Sequence, residues 1–544
     1  MDWRPVSVIR WLFDPKHAAA NRLWARWLFL RGLGLIYFSA FFPLLFQIRG
    51  LLGPQGVLPA GEYLQAVMRS APGLARFWYA PTLLWVSSSS HALMALCWIG
   101  LAASVLLVAN IWPRAMLLIC FLCFVSFVSA ASDFSGYQSD GMLLEAGFIS
   151  IFLAPPGLRP GLGRSHPPMR ASIFLLLWEW FRIYFESGVV KLASGEPQWR
   201  NFTAMDEYYQ NGPLPTWIGW YAQHLPHGFH ATTVFLTLVL ELVLAWMMFL
   251  PRRWRIVCFF IVTPWQIGVI LTANYTFLNY LVLLLAIFLL DDRFVAQFVP
   301  QRWRSRFLRE SAGLEAPKAA SPEGATVGEG SPLSTIVQLW REVKLAFTAV
   351  MLTWLFYSST ALLILMLWHG APLPMTPVVA LEPFRVADRY GLFAVMTRGR
   401  YEIEFQGSND GQNWLTYPFR FKPQDPKKAP GIYAPYQPRF EWNLWFASLG
   451  TWHSNTFVPK AEARLLEDSR DVLALFAANP FAQGPPRQVR AVIWQYWFST
   501  PEQKREQGVW WMRKLMGPYA PTLEREADGR IVVVEWAPEL ERRE

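Results

Sequence analysis

Four ionisable side chains interrupt one apolar run. Between Ile173 and Asp206 the chain reads IFLLLWEWFRIYFESGVVKLASGEPQWRNFTAMD, so Glu179, Arg182, Glu186 and Lys191 fall in a stretch long enough to cross a bilayer. A charge inside hydrocarbon costs at least about 2.5 kcal/mol on insertion scales, and chains that keep one generally pair it or use it. Arg182 and Glu186 are four residues apart and Glu179 is three before Arg182, so all three share one helix face. Two readings follow: an ion-pair ladder that locks helices together, or a polar cavity within a bundle. Lys191, between Gly188-Val-Val and Leu192-Ala, is able to act as a desolvated base or to snorkel to the interface. A second charged segment, QSDGMLLEAGFISIFLAP from Gln138 to Pro155, carries Asp140 and Glu145. Asp140 sits where a helix N-terminus needs a cap. Glu145 lies a turn further in, facing the same cavity as Lys191 or paired with an arginine. Glu241 stands in another apolar run with no local partner. Together Asp140, Glu145, Glu179, Arg182, Glu186, Lys191 and Glu241 form a membrane-embedded polar cluster, with Lys191 its one candidate for catalysis.

Other chemistry is sparse. His224, His227 and His230 are spaced like metal ligands but have no nearby cysteine or acidic ligand, so no metal is expected. There is no nucleophile elbow, P-loop or HExxH, and no cofactor is expected. All four cysteines lie in apolar runs; the Cys120/Cys123 pair reads as helix packing, not as a redox motif.

The elements that position these residues are set by hydropathy. Of 544 residues 53% are hydrophobic and only 16% charged, in long runs that mark a polytopic membrane protein. Nine candidate spans run Trp27–Phe46, Ala92–Ile111, Ala115–Ala131, Gly141–Ala154, Ile173–Val190, Phe229–Leu250, Ile256–Thr272, Phe277–Leu290 and Leu345–Trp368. Several are short and Gly141–Ala154 is the weakest, which gives about eight or nine crossings. The net charge of +10 reflects loop residues that set orientation, and no basic-aromatic motif for nucleic acid appears. With the N-terminus inside, Lys and Arg divide roughly twenty inside against five outside, the usual bias. The expected organisation is a cytoplasmic segment 1–26, a bundle 27–310, a flexible small-residue linker 311–332 (Ser311 to Pro332), a last span 333–368 and an extracytoplasmic domain 369–544. Of two glycosylation sequons, Asn201 lies in an outside loop and Asn274 close to the bilayer.

After His369 the pattern changes period. Tyr401, Ile403 and Phe405 alternate with Arg400, Glu402, Glu404 and Gln406, as in a half-buried strand. Ser408-Asn-Asp-Gly411 reads as a tight turn, Val489–Ser499 and Ile531–Trp536 as strands, and Ala461–Pro480 as a helix stopped by Asn479-Pro480. The fold class is therefore a mainly α membrane bundle followed by a β-rich extramembrane domain. Trp442, Trp445, Phe446, Trp452, Trp494, Trp497, Trp510 and Trp511 supply aromatic surface, of which a minority is expected outside the core.

Several long blocks then carry a resemblance. QSDGMLLEAGFISIFLAP (Gln138 to Pro155), SGVVKLASGEPQWRNFTAM (Ser187 to Met205), PLPTWIGWYAQHLP (Pro213 to Pro226) and LTANYTFLNYLVLLLAIFLLDD (Leu271 to Asp292) resemble the lipase maturation factor family. So do FQGSNDGQNW (Phe405 to Trp414), APYQPRFEWNLWFASL (Ala434 to Leu449) and LALFAANPF (Leu473 to Phe481). The resemblance implies a multi-pass membrane protein that assists secreted lipases and is not an enzyme. Animal relatives reside in the ER membrane with the C-terminal domain in the lumen. The short loops suggest a bacterial inner membrane with that domain in the periplasm. The implied partners are a secreted lipase and membrane lipid, with no nucleic acid. The resemblance also implies that Phe405 to Trp414 and Ala434 to Leu449 are a client-facing or domain-core region, with Trp414, Trp442, Trp445 and Phe446 the client-binding candidates. The outer domain lacks the cysteines of the animal pattern, which removes thiol assistance. A single motif, GVVKLASGEPQW (Gly188 to Trp199), is also similar to the vitamin K-dependent carboxylase-like membrane proteins. It aligns Lys191 with their active-site lysine and implies a lipid or quinone pocket as an alternative. Sugar binding through the 408–411 turn and Trp414 is a further alternative.

Overall fold

The computed structural model describes residues 11–13, 18–301 and 332–538. The expected linker Ser311–Pro332 lies, except for Pro332, outside the described residues, as does part of the 1–26 segment. The first span is α1 (Leu23–Phe41) followed by α2 (Leu44–Leu52), bent by 45° at Pro43, whose missing N–H and ring break the helical ladder. There follow α3 (Ser90–Val108), α4 (Pro113–Ala130), α5 (Gln138–Leu153), α6 (Arg170–Ala193), α7 (His227–Leu242), α8 (Arg252–Thr272), α9 (Leu278–Ala286) and α10 (Pro332–Leu367). Local chemistry fixes their starts. The Ser89 hydroxyl accepts from Ala92 N to cap α3, and Pro113 opens α4, where no N–H is needed.

Five helices among the described residues are long and apolar enough to cross a membrane, six with the bent pair. The expected segments Gly141–Ala154, Ile173–Val190 and Phe277–Leu290 do form helices (α5, α6, and α9 with its extension), but these are short or charged. They lie at the centre of the bundle, with α6 in contact with α5, α7, α9 and α10. A central helix is screened from lipid by its neighbours, so it is free to carry charge.

One end of the bundle gathers arginine. Arg26 donates to the carbonyls of Leu162 (2.6 Å) and His166 (2.7 Å), and Arg22 to that of Phe288 (2.8 Å). The Asp292 carboxylate receives the first N–H groups of α1, from Leu23 (2.6 Å) and Trp24 (2.9 Å), and so caps it across 269 residues of chain. The opposite end carries the C-terminal domain.

That domain is a six-stranded sheet of β1 (Arg400–Ser408), β2 (Leu415–Thr416), β3 (Gln488–Phe498), β4 (Trp511–Pro518), β5 (Thr522–Arg525) and β6 (Ile531–Glu535). The order is β2-β1-β3-β5-β6, with β4 also on β3, all antiparallel; Ile403 faces Ile493 across the central pair. Helices α11 (Arg439–Leu449) and α12 (Phe457–Leu466) pack on β1 and β3. Three sequence expectations change here. The helix foreseen over Ala461–Pro480 ends at Leu466, because Asp468 turns left-handed (φ 56°) and Ser469 caps a new short turn. The 408–411 turn is not a two-residue hairpin: Asp410 accepts from Gln412 and Asn413 N, and Gly411 holds φ 73°. Finally, β1 is buried on both faces. Arg400 meets the bundle, donating to the carbonyls of Gln210 and Pro213 (both 3.0 Å), and pairs with Glu402, which also binds Lys422 at 2.8 Å; Glu404 and Gln406 are covered by the domain's own Arg513 and Arg490. Burial pushes the Arg400 guanidinium down from its usual value, and Glu402 pulls it back.

Two predictions arise from this packing. Gly50 of α2 touches the outer domain so closely that a Cβ would lie 2.3 Å from the Asp471 carbonyl oxygen and 2.8 Å from Leu475. Backbone cannot step aside, so Gly50→Ala is expected to cost about 1–3 kcal/mol, the usual range for overpacking. An unchanged thermal midpoint in detergent would contradict this. The second concerns Glu462 on α12, fully buried beneath β3. Burial pushes its carboxyl well above the carboxylate range, opposed by the Ala491 backbone. A raised folded-state pKa means the native chain holds the proton longer. Stability is then full below the unfolded value of about 4.3 and declines as pH rises from there toward the folded value. Glu462→Gln removes that decline, so its midpoint is expected to exceed the wild type's at pH 8 and to match it near pH 4. Parallel profiles from melts across that range would refute the assignment.

Candidate functional site

The polar cluster resolves into a cleft between α5 and α6 filled by the chain's own segment 385–393, which runs back into the bundle after α10. The segment is recognised largely through its backbone. Arg182 donates to the Asp388 carbonyl (2.8 Å), Tyr390 N to Glu186 (2.6 Å), Gly391 N to Gln138 (3.0 Å) and Leu392 N to the Ser187 hydroxyl (3.3 Å). Lys191 donates to the Leu392 carbonyl (3.0 Å) and the Trp199 indole to that of Phe393 (3.0 Å). One side chain adds specificity: the Tyr390 hydroxyl donates to Glu145 (2.8 Å), and its ring lies 5.1 Å from the Arg182 guanidinium. Outside the spans, burial raises the Asp388 carboxyl above its usual range, with Arg385 and Arg182 drawing it down. Gly141 lets the segment come this close, since a Cβ there would displace the Asp388 carboxylate.

Each expected site residue can now be placed. Arg182 pairs with Glu145 of α5 and not with Glu186, its neighbour on the same face. Geometry across helices wins because Glu186 is taken by the Tyr390 amide. Asp140 is no cap: it forms a bidentate pair with Arg439 of α11 (2.7 and 2.9 Å), both side chains fully buried. Glu241 has the distant partner that local spacing could not show, Lys191 at 2.8 Å to both oxygens. Glu179 is fully buried on α6, and neither carboxyl oxygen has a hydrogen-bond partner among the described residues. The Lys191 amine is shared among one carboxylate and two carbonyls, and lies 5.1 Å from the Trp199 ring centre. With its donors engaged by Glu241 and by the backbone of Ser187 and Leu392, the amine is placed as a clamp and not as a free base. The histidines disperse: His224 to the Trp220 carbonyl, His227 to Asp206 and His230 to the Leu225 carbonyl.

Of the four aromatic contact candidates, Trp442 is a correction. It is 6% exposed and wedged between Tyr137 and Tyr275 at the junction with the bundle. Trp414 is half-buried under the Arg490 guanidinium (3.9 Å), and Trp445 is half-buried against Phe446. Phe446 remains exposed. Further open apolar side chains of the domain lie at Leu515 and Met516 of β4, at Val533 and Val534 of β6 and at Trp536 just after it. The IVVVEW run announced the last of these as a strand, but no sequence signal marked it as an edge.

Other junction residues were missed because their partners are remote. Asn274, read as a sequon, is buried and bridges the domains: it donates to the carbonyls of Leu214 (3.1 Å) and Gly431 (2.9 Å) and accepts from Tyr433 N and Ala434 N. Its amide has no room for a glycan, whereas Asn201 is exposed. Lys504 inserts its ammonium among Trp220, Tyr221 and Trp510 and pins the domain to the 217–223 helix.

Comparison with known proteins follows the same two-part division. Residues 24–297 match the lipase maturation factor transmembrane domain and residues 386–521 the lipase maturation factor C-terminal domain. Lipase maturation factor 1 of Bos taurus is 31% identical over 94% of this chain and 91% of its own length. Lipase maturation factor 2 is 30% identical in Mus musculus (91% and 82%) and in Homo sapiens (93% and 83%). No solved structure matches. The two family models take in the bundle through α9, the inserted segment from Val386 and strands β1 to β4, and this multi-pass membrane chain belongs to the lipase maturation factor family.

Proposed function

We propose that this chain is a membrane-bound maturation factor for secreted lipases that works by holding a client on its C-terminal domain and not by catalysis. The carrying observation is the match of both family domains along the chain, with relatives named for lipase maturation. The cleft geometry supports it, because Arg182, Glu145, Glu186 and Lys191 hold residues 388–392 and Asp140 holds Arg439, which fastens the C-terminal region to the bundle. Membrane-embedded enzymology at Lys191 and sugar binding near Trp414 are not favoured: the amine is engaged and the Trp414 ring is covered by Arg490.

The domain faces the secretory side, the periplasm of an inner membrane or its equivalent, the ER lumen. The arginine-rich bundle end opposite the domain supports this orientation. The client meets the outer strands, where apolar side chains are open. The test is co-expression of the full chain with a secreted lipase of the same host in a strain lacking the chain. Leu515→Ser with Val534→Ser and Trp536→Ser should keep the chain folded and lower active secreted lipase. Full lipase activity with those three changes would overturn the contact surface; full activity in the absence of the chain would overturn the function.

A further inference from the structure

Between the first span and α3 the chain forms a loop that no span contains. After its helix Ala60–Ser70, the short helix Ala75–Tyr79 and the turn Leu83–Trp85, with their flanking residues, present Leu74, Phe77, Trp78, Tyr79, Leu83 and Val86 to the outside, with Leu74 84%, Tyr79 65% and Val86 91% exposed. Six exposed large apolar side chains within thirteen residues exceed what a water-facing surface normally carries. The loop is not loose. The Thr82 hydroxyl donates to the Ser126 carbonyl (2.9 Å), Leu83 N to the Ser126 hydroxyl (3.0 Å), and Trp78 packs edge-on against Phe384 (5.1 Å).

Those anchors fix its depth. Ser126 lies four residues before the end of α4, about 6 Å at the helical rise. That end runs into the 132–135 turn, where the Phe134 carbonyl accepts from Arg439 and the Phe134 ring meets Phe457 of the C-terminal domain. The apolar patch therefore sits one helical turn to the membrane side of the domain's contact layer, within the roughly 5–10 Å at which interfacial helices ride. It continues the lipid-facing surface of α3, where Trp98 and Ile99 are exposed. Its composition is that of an interfacial belt, Trp, Tyr and Phe with Arg69 and Arg76 at the rim, and Arg76 lies against the Phe77 and Trp85 rings.

We infer that residues 74–86 lie in the plane of the membrane and bind the lipid surface of the leaflet on the side of the C-terminal domain. The other end of the same loop holds that domain: Arg464 donates to the Gly56 carbonyl (3.0 Å) and Ser469 to that of Gln55 (2.8 Å), next to the pair that Arg49 of α2 makes with Asp471 (3.3 Å). The loop is thus a strut that sets the height of the domain above the lipid.

The test uses the full chain in vesicles of phosphatidylcholine and phosphatidylglycerol. Nitroxide labels are attached to Leu74→Cys, Tyr79→Cys or Val86→Cys, with exposed Asp528→Cys as the aqueous control; the four native cysteines are buried. At the three loop positions the label should be relaxed more by oxygen than by a water-soluble nickel chelate, with the order reversed at Asp528→Cys. Hydroxyl-radical footprinting of the unmodified chain gives an independent reading, with Trp78 and Tyr79 protected relative to Trp536. Chelate access at all three labels together with oxidation of Trp78 would overturn the inference. So would protection that appears only when a lipase is added, which would make the patch a protein contact.

Discussion

Replacing Arg439 by alanine is expected to abolish the folded protein. Its guanidinium and the Asp140 carboxylate are both fully buried, and the bidentate pair joins α11 to the first turn of α5. Removing one partner leaves a bare charge in a dry interior, at a cost of about 3–5 kcal/mol, whereas removing both with matched volume is often neutral. That loss is a large share of the roughly 5–15 kcal/mol by which proteins are stable. Arg439→Ala should therefore run as aggregate on size exclusion and disappear from membranes by proteolysis. Adding Asp140→Leu to Arg439→Met should restore a monodisperse peak. If Arg439→Ala alone gave the wild-type profile, the pair would have no structural weight.

Ending the chain at Trp368 is expected to be as damaging, although every span is retained. The truncation strips the cleft of its occupant. Arg182, Glu145, Glu186 and Lys191 each lose a hydrogen bond to residues 388–392. Bonds to charged groups are worth about 1.5–3 kcal/mol each, so four of them together rival the whole stability margin. A chain ending at Gly399 keeps the inserted segment and should be recovered in detergent at a clearly higher yield and melting point. Equal melting of the two truncations would show that the segment merely rests in the cleft.

These two predictions show what was legible in the sequence. Charge in an apolar run is visible without any structure, and all seven members of the cluster are buried or nearly so. Their partners were not visible. Lys191 to Glu241 spans 50 residues, Tyr390 to Glu145 spans 245 and Arg439 to Asp140 spans 299. Helical periodicity relates residues within two turns, so it suggested Arg182 with Glu186 and missed the interhelical choice. The alternation in β1 was real, but period two cannot say whether the polar face meets water or a second domain. The same blindness misplaced Trp442, since an aromatic residue at helical spacing fits a core, a junction or a surface equally well. Hydropathy found the helices at the bundle centre yet could not rank them, because a helix shielded by its neighbours need not be apolar.

The distance between Asp140 and Arg439 also has a consequence in time. The acid is translated 299 residues before the base that neutralises it. At about 5–20 residues per second the ribosome takes roughly 15–60 s to supply the partner. Throughout that interval the nascent bundle displays an unmatched carboxylate at its rim. A product that terminates before Arg439 never gains that partner, so its Asp140 carboxylate stays unmatched for as long as the fragment survives.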